Sequence, residues 1–332
     1  MYKDNIRSWY RSILDKDRLA LSKAITLIES QKPEDLHKTK ELMELISESR
    51  ESQSFRIGIT GPPGVGKSTL IDALGQLIIQ EGHRLAVLSI DPSSTISKGS
   101  ILGDKSRMQT LSLDANAFLR PSPSSNQLGG ISRSTRNSIL LLEAAGFDRI
   151  LVETVGIGQS ETDVAQICDL VICLIQPASG DELQALKSGI MEWADMFVVN
   201  KSDGVLESAA RETYAELHVV MNHLPMREVN YKQNIQLVSA LNIESVKQLL
   251  FHINEFYNLL NINNELFNNR NVKLGSYFEK YWLDFLKDKI QESPSFNEVQ
   301  KSLRQEIQSG NIEIEKAFEK LINFIFALQL DK

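Results

Sequence analysis

Apolar residues near the start of this chain recur with the spacing of an amphipathic helix. In RLALSKAITLIES, from Arg18 to Ser30, they fall three and four positions apart, which places them on one helix face. Pro33 interrupts the pattern, because proline removes a backbone donor and fits a helix only in its first turn. The pattern resumes in EDLHKTKELMELISES. We therefore predict an N-terminal helical extension over residues 1–52.

From Phe55 the pattern changes to short apolar runs that alternate with amphipathic segments. One such segment, SRSTRNSILLLEAAG, has helical periodicity and ends on Gly146. Strands that alternate with helices form a mainly parallel sheet with helices on both faces. The predicted fold class for residues 53–260 is therefore α/β. The predicted strands are FRIGIT, RLAVLSI, AFLRP, RILVE, LVICLI, MFVVN and IQLVS.

Beyond about Leu260 the strand-like runs stop. The sequence there is polar and amphipathic with helical periodicity, as in SYFEKYWLDFLKDKIQE. Helices of this kind do not belong to the buried sheet core. We expect residues 261–332 to form a C-terminal helical region that packs on a partner subunit as a dimerisation arm.

Composition narrows the classes of protein that fit. The formal net charge of −7 argues against nucleic acid or an anionic membrane as the main partner. The opening MYKDNIRSWYRS lacks the apolar core of a secretory signal, and LINFIFALQL is too short to cross a bilayer. We expect a soluble, cytoplasmic protein. The two cysteines, Cys168 and Cys173, exclude a disulfide scaffold and are predicted to be buried thiols.

A phosphate-binding motif follows the first predicted strand directly. GPPGVGKST satisfies the pattern GxxxxGK[ST], whose glycines let backbone N–H groups turn toward a phosphate at the start of the next helix. Lys67 is expected to reach the β- and γ-phosphates, and the Ser68 hydroxyl to bind magnesium. The predicted nucleotide-binding residues of this loop are Gly61, Pro62, Pro63, Gly64, Val65, Gly66, Lys67, Ser68 and Thr69.

Two later segments indicate that the nucleotide carries guanine. MFVVNKSD places Asn200, Lys201 and Asp203 at the end of a strand. A carboxylate at Asp203 can accept hydrogen bonds from guanine N1–H and N2–H, a pair that adenine lacks, so that adenine would leave it unpaired. The residues Ser239, Ala240 and Leu241 follow the last apolar run, where GTPases commonly direct a backbone N–H at guanine O6.

The stretch ILVETVGIGQSE carries a glutamate where an apolar run ends and a glycine three residues later. Glu153 could simply be a strand end that reaches water. With a phosphate loop in the same chain, we instead predict that its strand lies close to the loop strand, with Glu153 near magnesium and the Gly156 N–H near the γ-phosphate. Ile157 stands where Ras-like GTPases have the glutamine that orients water, and Gln159 is two residues further. Slow intrinsic hydrolysis is therefore expected.

With these motifs in hand, the chain resembles the MeaB/ArgK family. These proteins are P-loop GTPases of the SIMIBI class and are associated with methylmalonyl-CoA mutase and related cobalamin enzymes. The resemblance runs from RLALSKAITLIES through SAL, and more loosely to the C-terminus. Its most specific segments are GPPGVGKST, LSIDPSS, GSILGDKSRM, AFLRPSPS, LLEAAGFDRILVETVGIGQSE, QPASGDELQALKSGIME and NKSD.

The resemblance implies further site residues. Asp91, in LSIDPSS, is implied as an acidic residue near magnesium, and Asp104, in GDKSRM, as a mobile switch ligand. The implied metal ligands are then Ser68, Asp91, Asp104 and Glu153, and the implied catalytic residues are the three carboxylates with Lys67. QPASGDELQALK resembles a switch loop at the partner surface, with Gln176, Asp181 and Lys187; a solvated helix charge is the alternative for Lys187.

The function implied is that of a GTP-binding and GTP-hydrolysing chaperone that gates cobalamin loading and protects an acyl-CoA mutase, with Mg²⁺ as its own cofactor. Asp35-Leu36-His37 approaches the cobalamin motif DxHxxG, but Lys40 stands in place of its glycine, so cobalamin belongs to the partner. Two alternatives stay open. A nickel or zinc metallochaperone GTPase is opposed by the absence of His-rich tracts and CxCC from this sequence. An ATPase or kinase of basic amino acid transport is opposed by NKSD.

Overall fold

The computed structural model describes residues 6–30, 32–48, 54–91, 108–123, 133–154, 160–177, 193–221, 234–262, 264–291 and 293–327. It divides the chain into two compact units, Met1–Arg270 and Asn271–Lys332. The domain boundaries given above, 1–52, 53–260 and 261–332, stay predictions.

A single parallel sheet forms the centre of the first unit. Its order is β3-β2-β4-β1-β5-β6-β7, and every neighbouring pair runs parallel. Each apolar run predicted as a strand forms one, so the predicted α/β class is confirmed. The strands are β1 Phe55–Thr60, β2 Leu85–Asp91, β3 Ala117–Pro123, β4 Arg149–Thr154, β5 Leu170–Ile175, β6 Met196–Val199 and β7 Asn234–Leu237.

Helices surround this sheet in the first unit, and the second unit consists of helices. Within the described residues they are α1 Ile6–Leu14, α2 Arg18–Glu29, α3 Pro33–Glu48, α4 Lys67–Gln80, α5 Gln109–Leu113, α6 Arg133–Ala144, α7 Ser160–Ile167, α8 Glu207–Met221, α9 Ile243–Ile262, α10 Glu265–Gln291, α11 Pro294–Gln308 and α12 Ile314–Ala327, with a 3₁₀ turn at Gly204–Leu206. None of them is long and apolar enough to cross a membrane.

The sheet has a hydrophobic cluster on each face. One cluster joins alternate strand residues such as Ile57 and Leu151 to α4, α5 and α9. The other joins the intervening residues, such as Val152 and Cys173, to α1–α3 and α6–α8. Because strand side chains alternate between faces, a buried strand with apolar residues at every position supplies both clusters. Cys168 and Cys173 are buried, as predicted.

The N-terminal helices begin and end where the sequence provides signals. The Asp17 carboxylate accepts hydrogen bonds from the backbone N–H of Leu19 at 2.8 Å and of Ala20 at 3.2 Å, which caps α2. Pro33 is the first residue of α3, where its missing N–H costs nothing. The Asp35-Leu36-His37 segment lies inside this helix, which confirms that it is helical.

A buried ionic network lies at the amino ends of the strands, at the sheet edge away from the phosphate loop. The Arg56 guanidinium pairs with both oxygens of Glu143, at 2.7 and 2.9 Å. The Arg270 Nε donates to Asp169 Oδ1 at 2.7 Å, which fixes the start of α10. Burial alone lowers the pKa of Arg56, but the charges of Glu143 and Asp169 outweigh burial and raise this pKa above its ordinary value.

The second unit consists of helices that expose many apolar side chains. Ser293 caps α11 by accepting from the Phe296 N–H at 3.4 Å, and Pro294 occupies the first helical position. Phe296, Leu303 and Ala317 are buried within this unit. Large apolar side chains stay exposed on its helices: Val272, Phe278, Trp282, Leu283, Leu286, Ile307, Ile314, Phe318, Ile322 and Phe326.

Candidate functional site

The sequence motifs meet at the carboxyl edge of the parallel sheet. The phosphate loop follows β1, which lies between β4 and β5, and NKSD and Ser239 follow β6 and β7. In an open parallel sheet this edge is where loops build a ligand site. The prediction that the strand of Glu153 lies close to the loop strand is confirmed, since β4 pairs directly with β1.

Two glycines of the phosphate loop occupy positions that no other residue fits. Gly61 has φ 141°, and a Cβ there would lie 2.5 Å from the Leu174 carbonyl oxygen on β5. Gly66 has φ 97°, and a Cβ there would lie 2.6 Å from Asn200 Nδ2. The loop therefore turns tightly between β1 and α4 because glycine supplies both the backbone angles and the space.

Lys67 is the first residue of α4 and is 7% exposed. Its Nζ donates to the carbonyl oxygens of Gly61 at 2.7 Å and Pro62 at 3.0 Å. These contacts hold the ammonium charge against the loop, at the positive end of a helix. Along the rest of the loop, Pro62 and Val65 are buried, Pro63, Gly64 and Thr69 are exposed, and Ser68 is half-buried.

The Glu153 side chain is 3% exposed and lies between two serines. The Ser68 hydroxyl donates to Oε1 at 3.0 Å, and the Ser89 hydroxyl donates to Oε2 at 3.0 Å. In the sheet, Glu153 is opposite Ile59 on β1 and Ser89 on β2. These residues share the face covered by α4, which is why the carboxylate meets the first turn of that helix. Glu153 is therefore no solvated strand end.

Ser89 is the site residue that sequence reasoning missed. It stands in LSIDPSS two positions before Asp91, among other polar residues that gave no reason to choose it. Only the register between β2 and β4 brings it opposite Glu153.

The donor set around Glu153 suits magnesium. The Ser68 hydroxyl and the Glu153 carboxylate supply oxygen ligands only, which hard cations prefer. Within the described ranges, no group of three or more His, Cys, Asp or Glu side chains could hold a metal. Magnesium bound with a nucleotide typically needs only one or two protein oxygens besides phosphate and water, so the residues present fit it.

Several predicted residues of the metal and phosphate site lie wholly or partly outside the part of the chain that the structure describes. Asp91 is the last residue of β2, and its side chain is outside the described part. Asp104 and Gly156 lie outside the described residues, as do Ile157 and Gln159. Their roles stay predictions.

Asn200 bridges the phosphate loop and the loop after β7. The side chain is 1% exposed; its Nδ2 donates to the Val65 carbonyl at 2.8 Å, and its Oδ1 accepts from the Ala240 N–H at 3.3 Å. Lys201, in the left-handed region with φ 57°, donates from Nζ to the Gly64 carbonyl at 2.7 Å. The NKSD segment therefore holds the phosphate loop from one side.

The remaining residues of the predicted base site lie around this bridge. Asp203 is exposed and precedes the 3₁₀ turn in an extended conformation. Ser239 is buried, and its Oγ accepts from the Leu241 N–H at 3.3 Å.

Gln176 follows β5 and is half-buried, whereas the other members of the predicted switch loop, Asp181 and Lys187, lie outside the described residues.

Comparisons with known proteins agree with this geometry. Residues 21–295 match the family described as methylmalonyl-CoA mutase-associated GTPase MeaB. The chain is 36% identical over 334 residues to the mitochondrial methylmalonic aciduria type A homolog of Caenorhabditis elegans, covering 98% of this chain and 84% of that protein. It is 40% identical over 260 residues to the GTPase ArgK of Escherichia coli, covering 77% of each.

A solved structure supports the same fold. The crystal structure of a LAO/AO transport system kinase aligns with a TM-score of 0.73 and 27% identity, over 98% of this chain and 99% of that chain. Together with the loop geometry and the relatives named as GTPases, this likeness identifies a P-loop GTPase. The chain therefore belongs to the MeaB family of methylmalonyl-CoA mutase-associated GTPases, and it hydrolyses GTP.

Proposed function

We propose that this protein is a GTP-driven chaperone that gates cobalamin loading into an acyl-CoA mutase of the methylmalonyl-CoA mutase type and protects that enzyme. The observation that carries the proposal is the match of residues 21–295 to a family described as associated with that mutase. The intact phosphate loop and the buried Glu153 beside Ser68 support a working nucleotide site. A cytoplasmic location belongs to the same proposal.

Guanine selection is assigned to Asp203. Asp203 is exposed and follows Asn200 closely in the chain, and the Asn200 side chain contacts both the phosphate loop and the loop after β7. A base bound at Asp203 would therefore be on the same side of the site as these contacts. Asp203→Ala should weaken GDP binding by roughly 1.5–3 kcal/mol, as for a lost hydrogen bond to a charged group. Titration calorimetry with GDP and ADP measures this change, and Glu207→Ala removes an exposed carboxylate nearby as a control. Unchanged GDP affinity in Asp203→Ala would exclude the guanine assignment.

Hydrolysis is assigned to a small set of groups. We assign Lys67, which lies against the phosphate loop, to the neutralisation of developing charge on the β- and γ-phosphates. We assign Ser68 and Glu153, which contact each other, to magnesium binding, with Asp91 and Asp104 as further proposed oxygen ligands. Magnesium, when bound, supplies charge neutralisation at the phosphate oxygens. Because the Ile157 side chain has no group that can hydrogen-bond to water, we propose that intrinsic hydrolysis is slow and that the partner supplies or orders the missing group.

Coupling to the mutase is assigned to the loop QPASGDELQALK. A loop that meets the partner in only one nucleotide state links hydrolysis to partner affinity, and linkage of binding is reciprocal. We also expect a cobalamin-dependent acyl-CoA mutase to raise the GTPase rate at least several-fold, because it would supply or order the group that Ile157 does not provide. Asp181→Ala or Lys187→Ala should remove this stimulation and leave basal hydrolysis intact. Lys247→Ala, at an exposed lysine on α9, is the matched control.

Steady-state phosphate release with and without the mutase tests this assignment. Stimulation that survives both substitutions would show that another surface couples the two proteins. Absence of stimulation in the wild-type protein, together with no complex in a pull-down with the mutase, would instead reject the mutase as client and favour the metallochaperone alternative.

The transport-kinase alternative takes support from the solved relative that is named as a LAO/AO transport system kinase. The NKSD motif favours guanine over adenine, because adenine lacks the pair of donors that Asp203 would accept, whereas an ATP-dependent kinase requires adenine. The comparison of GDP with ADP binding described above also decides between these two functions.

A homodimer is proposed through the C-terminal helices. These helices expose many large apolar side chains, such as Phe278, which is 70% exposed, and Phe326, which is 85% exposed. Soluble monomers rarely expose so much apolar surface. Sedimentation of the full chain should give twice the monomer mass, and Phe278→Glu should shift it toward the monomer. A wild-type monomer at micromolar concentration would reject this assignment.

A further inference from the structure

Ser89 holds the oxygen of Glu153 that Ser68 does not contact. Its Oγ donates to Glu153 Oε2 at 3.0 Å, while the Ser68 Oγ donates to Oε1 at 3.0 Å. Ser89 is 4% exposed and Glu153 is 3% exposed, so this contact is shielded from bulk water. The contact joins two adjacent strands, since Ser89 and Glu153 are directly opposite in the β2–β4 pairing.

Two hydroxyl contacts on opposite oxygens fix the plane of a carboxylate. A glutamate has three rotatable side-chain bonds, and the last of them rotates broadly when nothing holds the oxygens. With Ser89 on Oε2, the other oxygen faces Ser68 at the start of α4. Because Ser89 is on β2 and Ser68 is on α4, the two contacts come from separate elements, so Ser89 can hold Oε2 independently of Ser68.

We propose that Ser89 is a positioning residue that acts through Glu153 and sets the affinity of the nucleotide-bound protein for magnesium. This inference rests on the proposed role of Glu153 beside the metal. Hydrogen bonds to metal-binding carboxylates fix their orientation, and losing one typically weakens metal binding by about tenfold or more. Ser89 itself touches neither nucleotide nor metal in this assignment.

The variants at Ser89 distinguish the effect of losing the hydroxyl donor from the effect of changing the size of the side chain. Ser89→Ala removes the donor, and Ser89→Thr keeps it on a β-branched residue that suits a strand. Ser89→Cys is a near-isosteric alternative with only a weak donor, for use should the alanine variant not fold. The matched control is Ser138→Ala on α6, because Ser138 is fully buried and its Oγ makes no hydrogen bond within the described structure.

The experiment measures the affinity of a fluorescent N-methylanthraniloyl-GDP in EDTA and at rising Mg²⁺. For Ser89→Ala, the affinity for the labelled GDP in EDTA should equal that of the wild type. The Mg²⁺ concentration that gives half of the Mg²⁺-dependent increase in this affinity should rise about tenfold. In Ser89→Thr this Mg²⁺ concentration should return to within about threefold of the wild-type value. In Ser138→Ala it should stay at the wild-type value. Thermal unfolding without nucleotide or Mg²⁺ checks that each variant folds.

Three outcomes would overturn the inference in different ways. If Glu153→Gln loses the Mg²⁺ response but Ser89→Ala keeps it, the role of Ser89 is wrong and that of Glu153 stands. If Glu153→Gln keeps the response, the metal role of Glu153 fails first, and the Ser89 assignment fails with it. If Ser89→Ala loses affinity equally in EDTA and in Mg²⁺, the hydroxyl only supports the fold.

Discussion

Replacing Asn200 with Ala tests whether one buried amide prepares the nucleotide site. The substitution removes the hydrogen bond from Nδ2 to the Val65 carbonyl, at 2.8 Å, and the one from the Ala240 N–H to Oδ1, at 3.3 Å. It leaves the β6 strand itself untouched, because Asn200 follows the last strand residue, Val199. The change therefore acts on the connection between two loops.

The magnitude follows from the two contacts. A buried hydrogen bond contributes about 1 kcal/mol net, and a partner left unsatisfied costs about 1–3 kcal/mol. Val65 is buried and Asn200 is 1% exposed, so water replaces the amide poorly on the Val65 side. We expect the free energy of unfolding of the nucleotide-free protein to fall by about 2–4 kcal/mol.

The same substitution should also weaken nucleotide binding. The phosphate loop and the loop after β7 would no longer be held together before the nucleotide arrives, so binding has to order them. If this ordering costs the equivalent of one of the two contacts, about 1.4 kcal/mol, GDP affinity falls about tenfold. Urea unfolding without nucleotide and titration calorimetry with Mg²⁺ and GDP measure the two quantities separately.

Asn254→Ala is the matched control, because its amide donates one hydrogen bond to Glu81 at the surface. A surface change of this kind should stay within about 0.5 kcal/mol. An unchanged free energy of unfolding in Asn200→Ala would refute the bridge. A loss of stability with unchanged GDP affinity would show that the bridge supports the fold without preparing the site.

Three further substitutions test other parts of the molecule. Lys67→Ala should abolish GTP hydrolysis in a phosphate-release assay, because the site loses its fixed positive charge beside the phosphates. Gly61→Ala should lower the free energy of unfolding by about 2 kcal/mol or more, since its Cβ meets the Leu174 carbonyl at a φ of 141°. Arg270→Ala should lower it by about 2–4 kcal/mol, because Asp169 is buried and loses its main ionic partner.

Matched controls keep these predictions specific. Gly82→Ala has the same kind of backbone strain, at φ 93°, but nothing lies within 4 Å of its Cβ, so a smaller loss is expected. Arg211→Ala breaks only an exposed pair with Glu207 and should cost below about 1 kcal/mol. Equal losses at Gly61 and Gly82 would contradict the steric argument, and equal losses at Arg270 and Arg211 would contradict the ionic one. Hydrolysis that survives in Lys67→Ala would remove that residue from the chemistry.

The sequence by itself determined the strands, the class of fold and the phosphate loop. Each strand was visible because a buried parallel strand is a short continuous apolar run between polar segments. The phosphate loop was visible because Gly61, Gly66, Lys67 and Ser68 lie within eight consecutive residues and act through local backbone geometry. NKSD was visible for the same reason.

Only the tertiary structure decided which of these residues contact one another. Ser89 holds Glu153 because β2 is adjacent to β4 in a particular register. Asn200 reaches Val65 because β6, which precedes Asn200, pairs with β5, and β5 pairs with β1, which precedes the phosphate loop. Arg270 reaches Asp169 from a distant part of the chain in the same way. Strand order and register arise from packing summed over both faces of the sheet, so no short stretch of sequence contains them.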